Sequence, residues 1–227
     1  MKEYNILAYR GDIPKTIHAL EANNIDAVYC ETREDALAWV KRTLPMNCSV
    51  AVGGSLTLKD IGVRDYIWHG PFVYSNRYVE TERFQIDPEM TAEEVRQTYL
   101  DAFTADYYLM SSNAITEQGD IVNVDGYGNR VAALSFGPRH VIIIIGRNKI
   151  VKDLPSAFER LQNIPTQTEF GEVMHVKAPC VSIGKCIDCK HKDRRCGIYS
   201  ILRYQKNSQT QGKRRIVVLI VNEDLGC

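Results

Sequence analysis

Four cysteines crowd into 17 residues near the carboxyl end of the chain, as Cys180-x5-Cys186-x2-Cys189-x6-Cys196, and the rest of the chain holds only three of its seven. Thiolates are ligands for soft metals. A CxxC step lets two sulfurs approach one ion while the flanking pair closes the shell. Zinc held by four thiolates and an iron–sulfur cluster both suit this set. The spacing matches neither common ferredoxin run and does not choose between them. Lys185, Lys190, Lys192, Arg194 and Arg195 would offset the negative charge of such a site. Two other readings compete: a redox pair of Cys186 and Cys189, or four reduced thiols without a role. His175 and His191 could replace one ligand. Cys30 and Cys48 sit on strand-like runs and read as core residues.

A second constellation is polar and spread over four short runs: Gly53–Thr57, Ser111–Asn113, Asn129-Arg130 and Gly146–Lys149. A small anion needs N–H groups, hydroxyls and a cation converging on it. Gly54 permits close backbone approach. Ser55, Thr57, Ser111, Ser112, Asn113 and Asn129 can fix orientation, and Arg130 or Lys149 can supply charge. These residues are the candidate ligand-binding set for a small anionic metabolite or cofactor, and the metal cysteines read as a separate site. Ser, Asn and Gly also dominate ordinary turns, so the competing reading is plain turn chemistry. Glu117, Asp120 and Asp125 flank the set as candidate acids or bases. No Ser/His/Asp triad is legible, and no dinucleotide or Walker loop is present.

The elements that would position these groups alternate in kind. Helices are expected over Pro14–Asn24, after Thr32 as N-cap with Asp35 three residues on, and over Thr91–Thr104 with Glu94 at the capping-box position. Strands are expected over Ile25–Cys30, Ser49–Val52, Tyr107–Met110, Ile121–Val124 and Ile216–Val221. The run Val141–Ile145 is five consecutive β-branched residues, which suits a strand covered on both faces. Gly119 lies in the loop of a hairpin that pairs Tyr107–Met110 with Ile121–Val124. Arg130–Phe136 and Asp153–Gln162 read as helices and Ile198–Tyr204 as a short one. Val63–Asp87 reads as a loop region over the sheet, Pro165–Val176 as a connection, and Asn207–Gly212 as an exposed loop. This alternation predicts an α/β fold, a mainly parallel sheet flanked by helices. Polar groups at the carboxyl ends of its strands are where such sheets keep ligands. Residues 1–176 with 213–227 would form the α/β domain, and 177–212 a cysteine-rich insertion carrying the metal.

Length and composition bound the rest. A chain of 227 residues can bury a sizeable core without disulfides. Lys+Arg and Asp+Glu stand at 28 each, which gives no support to a nucleic-acid or membrane partner. The basic run Lys190–Arg195 lacks interleaved aromatics, and Arg10-Gly11-Asp12 has no context that would make it an adhesion motif. There is no apolar stretch of signal or membrane-spanning length. The expectation is a cytoplasmic protein, with its oligomeric state left open.

Several runs in order carry a family resemblance: Gly-Gly-Ser-Leu-Thr (53–57), Ser-Ser-Asn-Ala-Ile-Thr-Glu-Gln-Gly (111–119), Gly-Asn-Arg-Val-Ala-Ala (128–133), Phe-Gly-Pro (136–138) and Val-Ile-Ile-Ile-Ile-Gly-Arg-Asn-Lys-Ile-Val (141–151). Over about residues 13–165 the chain resembles the lactate-utilisation (LUD) domain family. The tail with Gly-Lys-Cys-Ile-Asp-Cys looks like a subgroup of it. The resemblance implies a fold of the ribose-5-phosphate isomerase, glucosamine-6-phosphate deaminase and CoA-transferase type. It also implies an association with bacterial oxidation of L-lactate to pyruvate, alongside iron–sulfur partner proteins. Two other functions stay open: an enzyme acting on a sugar phosphate or acyl-CoA, with Glu117 or Asp120 as its carboxylate, and a non-enzymatic electron-transfer or assembly module.

Overall fold

A computed structural model describes residues 9–79, 85–163, 176–206 and 214–227. His175, the connection over 165–175 and the loop over 207–212 lie outside the described residues. Six strands form the main sheet: β1 (Asp26–Cys30), β2 (Ser49–Val52), β3 (Val73–Tyr74), β4 (Tyr107–Met110), β7 (His140–Gly146) and β10 (Ile216–Val221). Their order is β1-β10-β7-β4-β2-β3, and every pairing in it is parallel. One row across the sheet runs Val52, Leu109, Ile142, Val217, Asp26.

The inner strands β4, β7 and β10 are almost wholly apolar because both of their faces are covered. Tyr108, Met110, Ile143 and Ile145 join one core cluster, with Leu20 of helix α1 (Ile13–Ala22), Ala102 of α5 (Ala92–Thr104) and Leu134 of α6 (Asn129–Ser135). Leu109, Ile142 and Ile144 point the other way. They pack with Val40 of α2 (Arg33–Thr43), Leu58 of α3 (Leu56–Asp60) and Ile67 of α4 (Val63–His69). Successive side chains in a strand face opposite sides, so a run of isoleucines feeds both clusters at once. Each such fully buried side chain stabilises by roughly 2 kcal/mol. Thr32 with Asp35, and Thr91 with Glu94, form the capping boxes that start α2 and α5.

A second, smaller sheet has the order β8-β5-β6-β9, built from β5 (Ala114–Thr116), β6 (Ile121–Asp125), β8 (Ile150–Val151) and β9 (Ile198–Leu202). It packs on α7 (Leu154–Asn163) through Val122, Val124, Ala157 and Leu161.

Three local expectations are corrected. Val63–His69 is a helix, started at Gly62 in the left-handed region (φ 78°), with Val63 and Ile67 buried one turn apart. Ile198–Leu202 is a strand, because the free edge of β6 accepts its β-prone Ile-Tyr-Ser-Ile in antiparallel register. The hairpin partner of β6 is Ala114–Thr116, since Ser111–Asn113 breaks the chain away from the main sheet after Met110. No helix among the described residues is long and apolar enough to cross a membrane.

Candidate functional site

Parallel strands end on one side of their sheet. The polar runs after β2, β4 and β7, and the tail after β10, therefore meet at one edge. A cavity of about 200 Å³ opens there. Gly54, Ser55, Ser111, Ser112, Asn113, Asn129, Arg130 and Lys149 line it, so eight of the nine proposed ligand residues share one space. Thr57, the ninth, stands just behind, bonded to Lys149.

Lys149 is 4% exposed. It sits in a single 3₁₀ turn, Arg147–Lys149, that leaves the end of β7. Its Nζ donates to Thr57 Oγ1 at 2.8 Å and to Ser111 Oγ at 3.2 Å. Ser111 Oγ in turn lies 3.3 Å from Thr57 Oγ1. Burial pushes the Lys149 amine down to about 7; Arg160 and Arg130 push the same way, while Cys227 and Asp60 oppose them. The tail closes over this group. Gly226 has φ +59°, and a Cβ there would lie 2.5 Å from Thr57 Oγ1 and 3.2 Å from Lys149 Nζ, so only glycine fits between them.

Arg130, read as a ligand cation, is spent on the protein. Its Nη1 donates to Ser111 O at 3.1 Å and Asn123 Oδ1 at 2.8 Å. Its Nη2 donates to Asn113 Oδ1 at 3.0 Å and Val124 O at 2.5 Å. This fork ties the end of β4 to β6. Asn113 Oδ1 also accepts from Val124 N at 3.1 Å. Ser112 Oγ is within 3.0 Å of Ala114 O and of Val122 O. Ser55 Oγ caps α3 by accepting from Leu58 N at 3.2 Å. Half the polar cluster thus shapes the cavity wall while still facing the space.

The sequence reading missed Arg77 in the irregular run after α4. Its side chain lines the cavity and is 6% exposed. The guanidinium lies 4.4 Å from the ring centres of both Tyr78 and Tyr99, and Nη2 donates to Tyr78 Oη at 2.7 Å. Its buried Nε has no hydrogen-bond partner among the described residues. Arg160 was missed too: it is 2% exposed, donates Nε to Asn113 O at 2.9 Å, and is pushed by burial down to about 10. Helical periodicity marks Arg160 as inward-facing beside Ala157 and Leu161. No comparable signal marks Arg77.

The candidate carboxylates do not face the cavity as free groups. Glu117 accepts from Lys15 Nζ at 2.8 Å, from Asp12 N at 3.1 Å and from Tyr9 Oη. Asp120 accepts from Arg203 Nε at 2.9 Å and from Thr116 Oγ1 at 3.2 Å. Asp125 does line the cavity, but its oxygens accept from Gly126 N, Arg130 N and Val131 N at the start of α6.

The four cysteines are not a separate site. Cys180, Cys186, Cys189 and Cys196 all line the same cavity as Lys149. They are carried by the short helix Pro179–Ile183 and the turns that follow, and Arg194 pins those turns by donating to Cys189 O and Cys196 O. Asp188 N donates to Cys186 Sγ at 3.4 Å, with Asp188 in the left-handed region at φ 48°. Burial raises the Cys180 thiol, and the three other cysteines push the same way. In kind, four thiols suit zinc or an iron–sulfur cluster. In placement they fall short: among the described residues no group of three or more His, Cys, Asp or Glu could hold a metal ion.

Comparison with known proteins adds the following. A family model described as the LUD domain matches residues 13–221. A search of curated proteins finds no match. Among solved structures, a DUF162 family protein from Deinococcus radiodurans superposes with a TM-score of 0.50 at 13% identity, covering 92% of this chain and 95% of its own. The decarboxylase AibA/AibB, as a variant, gives a TM-score of 0.35 at 12% identity, covering 83% of this chain and 88% of that one, a likeness too weak to bear on the fold.

Proposed function

The chain belongs to the LUD-domain family, and from that premise we propose that it is a lactate-utilisation-like accessory protein of redox metabolism that binds a small anionic metabolite in the cavity at the carboxyl edge of its sheet. One observation carries the reading: eight residues from four separate runs of the sequence, the buried Lys149 among them, line a single space together with the buried Arg77. Arg77 brings the charge. Its guanidinium has a buried Nε with no partner among the described residues, and an unmet buried donor gains most from an incoming oxygen. Arg130 holds the wall in shape. Calorimetric titration with L-lactate, pyruvate and acetate tests this. At least one carboxylate is expected to bind, with affinity at least about tenfold weaker in Arg77→Gln, the loss of one charge-assisted hydrogen bond. Absence of carboxylate binding by folded wild-type protein would sink the reading.

The cysteines support a second component, a soft metal ion or iron–sulfur cluster on the outer wall of the same cavity. What favours it is the chemistry and spacing of four cysteines that line one space, although as placed they do not converge into a metal shell. Elemental analysis of anaerobically purified protein is expected to find zinc or iron in fixed proportion, lost in Cys186→Ser/Cys189→Ser. An iron–sulfur cluster would make redox proteins the natural partners, whereas zinc would leave the cysteines a structural role. The alternative of a sugar-phosphate or acyl-CoA enzyme has less support. The carboxylates it would use, Glu117 and Asp120, are bound to Lys15 and Arg203.

A further inference from the structure

A lysine buried to this degree is seldom kept for charge alone. Among the described residues Lys149 donates to two hydroxyls, Thr57 Oγ1 and Ser111 Oγ. An ammonium group would be better served there by a carboxylate, yet no Asp or Glu side chain among the described residues pairs with it. Of the groups that favour its charged form, Cys227, which also lines the cavity, weighs most; Asp60 weighs less and accepts from Gly226 N at 2.8 Å. Two arginines, Arg130 and Arg160, bear on the amine and make a further positive charge costly. Burial and the two arginines outweigh Cys227 and Asp60 and leave a large neutral fraction of Nζ near pH 7, and a neutral amine in a cavity is a nucleophile. The two hydroxyls make a relay: Ser111 Oγ bonds Nζ on one side and Thr57 Oγ1 on the other.

We propose that Lys149 forms an imine with the carbonyl carbon of a small oxo acid, whose carboxylate is met by Arg77. The inference rests on the cavity being a binding site for a small anion, as argued above. The amine lone pair adds to the carbonyl carbon. One N–H proton passes through the Ser111 hydroxyl to the carbonyl oxygen, giving a carbinolamine. The C–O bond then breaks, the second N–H proton leaves with the oxygen as water, and a C=N bond to Nζ remains. No oxidant or reductant is consumed. The limited volume, about 200 Å³, favours a compound of few heavy atoms.

Wild-type protein incubated with pyruvate and sodium cyanoborohydride, then digested and mapped by mass spectrometry, tests the step. Reduction freezes an imine as a secondary amine, so the adduct weighs the mass of pyruvic acid less one oxygen atom. The expected result is one dominant adduct, on Lys149, formed at least about tenfold faster at pH 7 than on any other lysine, because ordinary lysines are almost wholly protonated there. Its rate should level off just above pH 7, where the amine loses its proton. Adducts spread evenly over the lysines, or a Lys149 rate still climbing through the ordinary lysine range, would overturn the proposal. Titration with pyruvate without reductant separates the two readings. Binding without an adduct removes the imine and leaves the anion pocket; neither binding nor adduct removes both. Lys149→Met, uncharged like the neutral amine, should abolish the adduct, and mapping on the wild type does not depend on that variant folding.

Discussion

At the scale of single residues, the two cations predicted from sequence divide into a scaffold and a reactive group. Arg130 offers four Nη bonds in a planar fork to four acceptors, two on β6 and two in the Ser111–Asn113 turn after β4. Lysine cannot span that fork. Arg130→Lys should cost about 3 kcal/mol, the worth of roughly two charge-assisted bonds lost, read from urea denaturation. A cost below about 1 kcal/mol would refute the scaffold role. Lys149 should behave in the opposite way. Its folded value, about 7, lies below the ordinary 10.5. Between those limits the unfolded chain binds a proton that the folded chain does not, so stability rises with pH there, by about 1.4 kcal/mol per unit. Below that window the penalty is complete. Lys149→Met removes it. The variant should be more stable than wild type at pH 7, with the advantage shrinking toward pH 10; a constant difference across that range would show that burial does not hold the amine neutral. The sequence showed which residues stand at strand ends because residue type and position suffice for that. It did not show which of them are spent internally, because Asn123, Val124 and Ser111 become neighbours of Arg130 only after folding. Arg77 stayed hidden for the same reason: its burial depends on Tyr99, an element away.

Elements were legible where one physical signal dominates. The β-branched run of β7 and the capping boxes of α2 and α5 each state their structure locally. Ile198–Leu202 does not. It is a strand because β6 offers an unpaired edge, a fact outside the segment itself. The turn between β5 and β6 lies between these cases. Gly119 is marked as a loop residue by its neighbours, and the structure gives it φ +80°, with a Cβ position 2.7 Å from Asn23 Nδ2 and 2.9 Å from the α1 backbone at Ala19 and Leu20. Both the left-handed backbone and the close approach exclude a side chain. Gly119→Ala should therefore cost about 3 kcal/mol, combining backbone strain with overpacking. A thermal melt unchanged from wild type would mean that the turn can move off α1.

For the molecule as a whole, the chain's order and the sheet's order differ in a way that sets its stability. The last strand in sequence, β10, lies inside the main sheet between β1 and β7, and all of its residues but Val217 are buried, as those of β7 are from Val141 on. The carboxyl-terminal part is thus required for the core, and the tail that follows it reaches the cavity. The cysteine-bearing segment is held differently. It returns to the body through β9, an edge strand whose Ile198, Tyr199 and Ile201 are 39%, 44% and 41% exposed. Regions with few buried contacts open locally, whereas a central strand exchanges its amides only when everything unfolds. Hydrogen exchange should accordingly protect Val141–Ile145 and Ile216–Val221 to the same, highest degree, and Cys180–Leu202 far less. Zinc or iron added under anaerobic conditions should slow exchange over Cys180–Cys196 and leave the central strands unchanged, since a metal that joins four thiols ties down only the segment that carries them. Equal protection of both regions without metal would mean that the cysteine segment is already locked to the sheet. Slowing confined to the central strands would place the metal elsewhere than on the four thiols.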